Sequence, residues 1–263
     1  MKSISSLSTL SITLATACTT LGPMPATTGV SAVPAGRPGA EAQVGAMPGH
    51  YLSAGTTEAP KGGATGQATV LVEPDRWIHV PGLIVGGRVF GQSKDSPVEP
   101  MVGYRRAFNE DVAIAVVGFG TATSATKNEA SYKATRLGAE VAVDAKVIPI
   151  TPWLALHAQG AAAVTYLSAT GTYCVDATGV GVDCDSSTGA QNTFVDAKVS
   201  DAFPSATGTL ALDAGHLRDG WFHSARLAVL GAAGMMPTLT NGMQQSSRGF
   251  ASIGLSLTLG VGE

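Results

Sequence analysis

Charge is scarce in this chain. Lysine, arginine, aspartate and glutamate make up 13 % of its 263 residues, about half the ~25 % of an ordinary soluble domain. The 16 cations and 19 anions leave a net charge of −3, which removes a general electrostatic case for nucleic acid. Aromatics are only 6 %, so the apolar content is mostly small or aliphatic. No apolar run approaches the ~18 residues that a membrane-spanning helix needs, and the 33 glycines argue against a helical bundle. None of the histidines (His50, His79, His157, His216, His223) pairs at helical zinc spacing, and the cysteines lack metal-ligand spacing. His223 and Ser224 are adjacent in a predicted strand, so they point to opposite faces and do not form a nucleophile–base pair. The sequence therefore predicts no catalytic centre, no metal site and no cofactor.

What is present begins with an address. Lys2 and the modestly apolar run from Ile4 to Ala17 read as a secretory signal, too short for a span. Its end, Leu14-Ala15-Thr16-Ala17-Cys18, resembles a bacterial lipobox, with Cys18 as the lipidated residue. The same residues fit ordinary cleavage after an A-x-A site. Export brings an oxidising compartment, in which Cys174 and Cys184 pair as a disulfide across a Gly/Asp/Thr-rich loop; two unrelated loop thiols are the alternative.

Residues 19–66 are Ala, Gly, Thr and Pro with few large apolar side chains, and are expected to be a disordered linker. A lead-in segment, 67–81, precedes the main domain, 82–263. There the pattern turns to period two. In one run Arg136, Gly138, Glu140, Ala142 and Asp144 alternate with Leu137, Ala139, Val141, Val143 and Ala145. Near the C-terminus Ile253, Leu255, Leu257, Leu259 and Val261 alternate with Gly254, Ser256, Thr258 and Gly260. About eight such strands follow from the pattern: 82–91, 99–108, 111–121, 131–147, 152–167, 205–214, 221–234 and 248–262. Short turns alternate with longer loops, and an even strand number returns both ends to one side, where a lipidated N-terminus would also lie. This predicts an all-β, closed, antiparallel up-and-down transmembrane barrel. Aromatic girdles fit the same reading: Trp77, Phe108, Trp153 and Trp221 at one rim, and Phe90, Phe119, Tyr132, Tyr166 and Phe250 at the other.

At the level of pattern, residues 80–262 resemble the small bacterial outer-membrane barrels of the OmpA/OmpX-like eight-stranded type. The chain departs from that family in ending Leu259-Gly260-Val261-Gly262-Glu263, where an aromatic residue is usual. The resemblance implies an outer-membrane location and lipid as the surrounding partner.

Charge on a lipid-facing wall costs ~2–4 kcal/mol near the midplane, so the polar rows are expected inside. Arg88, Arg105, Arg136, Glu140, Asp144, His157, Gln159, Asp213 and Arg226 then form an interior network, since buried charges of mixed sign must find partners. The long loop 168–204 is the expected contact surface for another envelope or surface protein. The reading is a non-enzymatic outer-membrane barrel, a lipoprotein by its lipobox, with a structural, adhesive or assembly role. A narrow pore for small solutes and a soluble periplasmic lipocalin-like binding barrel are its alternatives.

Overall fold

The structure, a computed structural model, describes residues 20–34, 39–53, 62–90, 98–127, 130–175, 181–182, 193–215, 222–240 and 244–262. A short strand, β1 (Thr20–Pro25), is followed by β2 (Gly39–Ser53) and β3 (Gly62–Val72). One helical turn, α1 (Asp75–Ile78), leads to β4 (Leu83–Phe90), β5 (Val98–Ala107) and β6 (Val112–Lys127). The long strands β7 (Ala130–Thr151) and β8 (Leu154–Val175) follow, then the two-residue β9 (Gly181–Val182). The chain closes with β10 (Thr193–Gly215), β11 (Phe222–Thr240) and β12 (Gln244–Gly262).

These twelve strands share one sheet. β1 and β9 lie off the ring; the other ten pair antiparallel with their neighbours in sequence, and β12 pairs with β2 to close a barrel. The closing seam runs from Leu255↔Ala46 to Gly262↔Gly39. Closure is what lets a sheet with so few charges exist without an exposed edge. We call the rim where β2 begins and β12 ends the near rim, and the opposite one the far rim.

Inside and outside are separated by residue parity. On β7 the buried row is Ala134, Arg136, Glu140, Ala142 and Asp144, and the exposed row includes Leu137, Val141, Val143 and Val147. β12 exposes Ile253, Leu255, Leu257 and Val261 while Gly254 and Ser256 face inward. The aliphatic rows thus face out and the charges face in. On every strand of the ring the outward row between the rims is built from Ala, Val, Leu, Ile, Gly, Pro, Met and Tyr, as in Ala225, Leu227, Val229, Gly231, Ala233 and Met235 of β11.

Three expectations are corrected. The barrel has ten strands instead of about eight. The two extra strands, β2 and β3, lie in what reads as linker and lead-in: Gly39–Ser53 and Gly62–Val72 are wall, and the barrel therefore starts well before residue 82. The segment 168–204 is not one long loop, because β8 continues to Val175 and β10 starts at Thr193, with Ser200↔Ser168 and Thr193↔Val175 paired. β7, β8 and β10 run 22, 22 and 23 residues. At ~3.3 Å per residue such a strand is roughly 70 Å long, so the β7–β8–β10 wall projects well past the ends of β4 and β5 on the far side. The leader 1–18, with Cys18, lies outside the described residues, as do Cys184 and Trp221; Cys174 is placed in β8 by its backbone.

Candidate functional site

Among the described residues the buried polar chemistry gathers in the lumen, which is occupied by the chain itself. β1 pairs with the far end of β2, Thr20 opposite Ser53 and Pro25 opposite Gly49. From Met24 to Val30 every residue is buried. The segment runs from far to near rim inside the tube, parallel to β7 and opposite in direction to β2. Its contacts follow in chain order. Arg136 Nη2 donates to the Pro25 carbonyl at 3.0 Å, Ser205 Oγ to Ala26 O at 2.8 Å and Arg88 Nη1 to Thr27 O at 2.6 Å. Glu140 accepts from Thr28 twice, from its backbone N at 2.9 Å and its hydroxyl at 2.5 Å. Gln43 Nε2 donates to Gly29 O at 2.7 Å. Gln159 holds both ends of a dipeptide span, donating to Val30 O at 3.1 Å and accepting from Ala32 N at 3.2 Å. Arg226 Nη1 reaches Ser31 Oγ at 3.0 Å.

Backbone groups removed from water must find partners or cost a few kcal/mol each; here the wall supplies them residue by residue. The segment's own side chains are small, which is what lets it fit within the ring. Gly29 is the tightest point. Its φ is +70°, and a Cβ there would sit 2.1 Å from Met47 Cε, so the position admits no side chain without displacement.

The nine predicted interior residues all sit in the lumen, but seven of them fall into three separate groups instead of one network. In the middle of the tube, at the far ends of the shorter strands β4 and β5, Arg88 pairs with Glu99, and Arg136 Nη1 lies 3.4 Å from the same carboxylate. Both guanidinium groups lie over aromatic rings, Arg88 over Phe90 and Phe119 at 5.1 and 5.3 Å and Arg136 over Phe119 at 4.8 Å. Towards the near rim Asp144 binds His157 Nδ1 at 2.5 Å and Arg226 Nη2 at 2.5 Å, while Arg226 Nη1 lies 3.2 Å from Asp213. The third group is Arg105 between Glu41 and Glu73. Glu140 and Gln159 bind the threaded segment. Glu41, Glu73, Glu99 and Gln43 are among the lumen residues that the sequence reading missed. Glu99 was legible, since it shares parity with Met101 and Arg105 on β5. Glu41 and Gln43 were hidden inside the presumed linker.

The girdle expectation is corrected in the same way. Trp77, Phe108 and Trp153 are exposed at the near rim and Tyr166 is exposed on the far part of β8. Phe90, Phe119 and Phe250, however, are buried inside the tube. Parity gives the reason: Phe90 lies two residues from Arg88, and Phe250 lies in the row of Gly254 and Ser256. Tyr132 is placed in β7 by its backbone alone. Phe250 joins Met24, Leu167, Val199, Phe203 and Met236 in an apolar cluster filling the far half of the lumen.

At the near rim the lumen opens into a vestibule of about 670 Å³, lined among others by Val33, Pro34, Lys146, Trp153, His157, His223 and Ser224. No protein-family model matches this chain, and no curated protein matches it.

Proposed function

We propose that this protein is an integral barrel of a bacterial outer membrane, resembling the small OmpA/OmpX-like barrels in type, with a non-catalytic structural, adhesive or envelope-assembly role. The observation that carries the reading is the outer wall. Ten strands in register present aliphatic and small residues without a charged side chain between the rims, and about twenty large apolar side chains there stand exposed, among them Val44, Val70, Val102, Val141, Leu210, Leu227 and Ile253. In water so extensive an apolar surface would drive association; hydrocarbon is the solvent that it matches. The near rim carries Trp77, Phe108 and Trp153, the residues that favour a membrane–water interface. The far-side extension of β7, β8 and β10, where Lys133, Thr170 and Lys198 are exposed, supports an orientation with that rim outward and the projecting hairpins as the surface open to an envelope partner. The lipobox reading of Cys18 adds a lipid anchor to this proposal.

A soluble lipocalin-like barrel would hold its ligand on an apolar inner face. Here the inner face holds the chain itself, which also opposes an open pore. The test is extraction. Partition of the full chain into detergent, with a folded band that shifts on heating in gel electrophoresis, supports the membrane reading; recovery in the soluble fraction without detergent overturns it. Val141→Arg sharpens the result, because a cation at mid-wall should cost ~2–4 kcal/mol in hydrocarbon and little in water. Acyl labelling lost in Cys18→Ser tests the anchor.

A further inference from the structure

The threaded segment fixes more than the state of the lumen. A barrel with an even number of strands has both of its wall termini at one rim, and Gly39 and Gly262 are indeed paired. The chain ahead of β2 does not leave by that rim. Proceeding towards the N-terminus it climbs the tube: Ser31 lies by Arg226 in the Asp144 group, Thr28 by Glu140 and Pro25 by Arg136. Asp144, Glu140 and Arg136 are every second inward position on β7 and mark the ascent. Thr20 then stands opposite Ser53, at the far end of β2.

We infer that the barrel is a sleeve for its own N-terminal segment, so that the leading end of that segment, Thr20, opens on the opposite side of the membrane from the barrel's C-terminus, the reverse of the side expected for a lipidated N-terminus. The inference rests on the membrane reading above and adds a sidedness to it. With the projecting hairpins outward, the side on which Thr20 opens is the cell exterior.

The lumen is suited to this task. All eight segment residues from Pro25 to Ala32 offer a main-chain or hydroxyl group to the wall, and the wall answers mostly with long, multivalent side chains: arginine, glutamine and glutamate. Most of these contacts read the backbone, which every extended peptide has, and only Gly29 is constrained by shape. The tube thus holds an extended strand along its axis, with the charged groups compensated by one another and by peptide dipoles.

The test uses the full chain in cells that export it. An epitope with a specific protease site is inserted between Thr19 and Thr20, and a second epitope follows Glu263. Added protease is expected to remove the first epitope in intact cells, while the second is reached only after the outer membrane is permeabilised. Protection of both epitopes in intact cells, or exposure of both, overturns the inference. The membrane reading is scored separately by heat-shifted migration of the same sample, so a soluble product overturns that reading and a folded membrane band with a protected N-terminal epitope overturns only this one. Should the insertion disturb assembly, Leu21→Cys labelled with a membrane-impermeant maleimide, against the parent chain as baseline, gives the same answer. Gly29→Leu supplies the control for route: loss of N-terminal exposure with the folded band retained supports passage through the lumen, and unchanged exposure overturns it.

Discussion

The two halves of the lumen are filled by different chemistries around the same threaded strand. The far half is a conventional apolar core, in which Met24 and Ala26 meet Leu167, Val199, Phe203, Met236 and Phe250. The middle and near half hold guanidinium and carboxylate groups at contact distance, Arg88–Glu99–Arg136 and Asp144–Arg226–Asp213. The apolar half depends on volume and is tolerant of which hydrocarbon fills it. The charged half depends on the identity and count of its partners, because an ion left alone in a dry interior loses far more than its pair gains. One half thereby seals, and the other grips the backbone.

That contrast can be broken most forcefully at Glu99, which is fully buried between two arginines. Glu99→Ala leaves both cations without their carboxylate and should cost ~3–5 kcal/mol, read as a lower temperature for conversion of the folded gel band. A shift no larger than that of an exposed wall substitution such as Val143→Ala would contradict the pairing. In the apolar half Leu167→Ala should cost about 3 kcal/mol, within the range for an emptied core site, whereas Leu167→Met should stay below ~1.5 kcal/mol. If the methionine variant is as unstable as the alanine one, volume is not what matters there. Between the halves, Gly29→Ala combines a left-handed backbone with the Met47 contact, and its cost should exceed ~1 kcal/mol; a neutral result would mean that the segment does not pass Met47. The mildest member is Thr28→Val, which removes one hydroxyl donor to Glu140 and should cost about 1 kcal/mol, with Thr28→Ser restoring it.

Much of the wall was legible because two-residue alternation is strong wherever Val, Leu and Ile carry it. β4, β5, β7 and β11 begin within two residues of their expected starts. β2 and β3 were not legible for a physical reason. Their outward rows are Ala40, Ala42, Val44, Ala46 and Gly66, Ala68, Val70, Val72, mostly small side chains of the kind that also fill a linker, so the alternation with Glu41, Gln43, Thr65, Gln67 and Thr69 was not read as a wall. Pro48 within β2 added a false break. The threaded strand had no periodic signal at all, since its fit rests on backbone groups that every sequence shares. The inward turn of Phe90 and Phe250 was available from parity alone, and was outweighed by the general preference of aromatics for interfaces.

The closed ring has a consequence for the order of assembly. Residues 24–34 lie within a wall whose first and last strands, β2 and β12, join only through the register Leu255↔Ala46 to Gly262↔Gly39. A finished ring would have to admit the strand lengthwise past Met47 and Gly29. Wrapping the sheet about a strand already in position requires no such passage. The joint between the two ends of the wall is therefore the step that makes the enclosure permanent, and it brings together residues about two hundred positions apart, the kind of distant pairing that forms late and slowly.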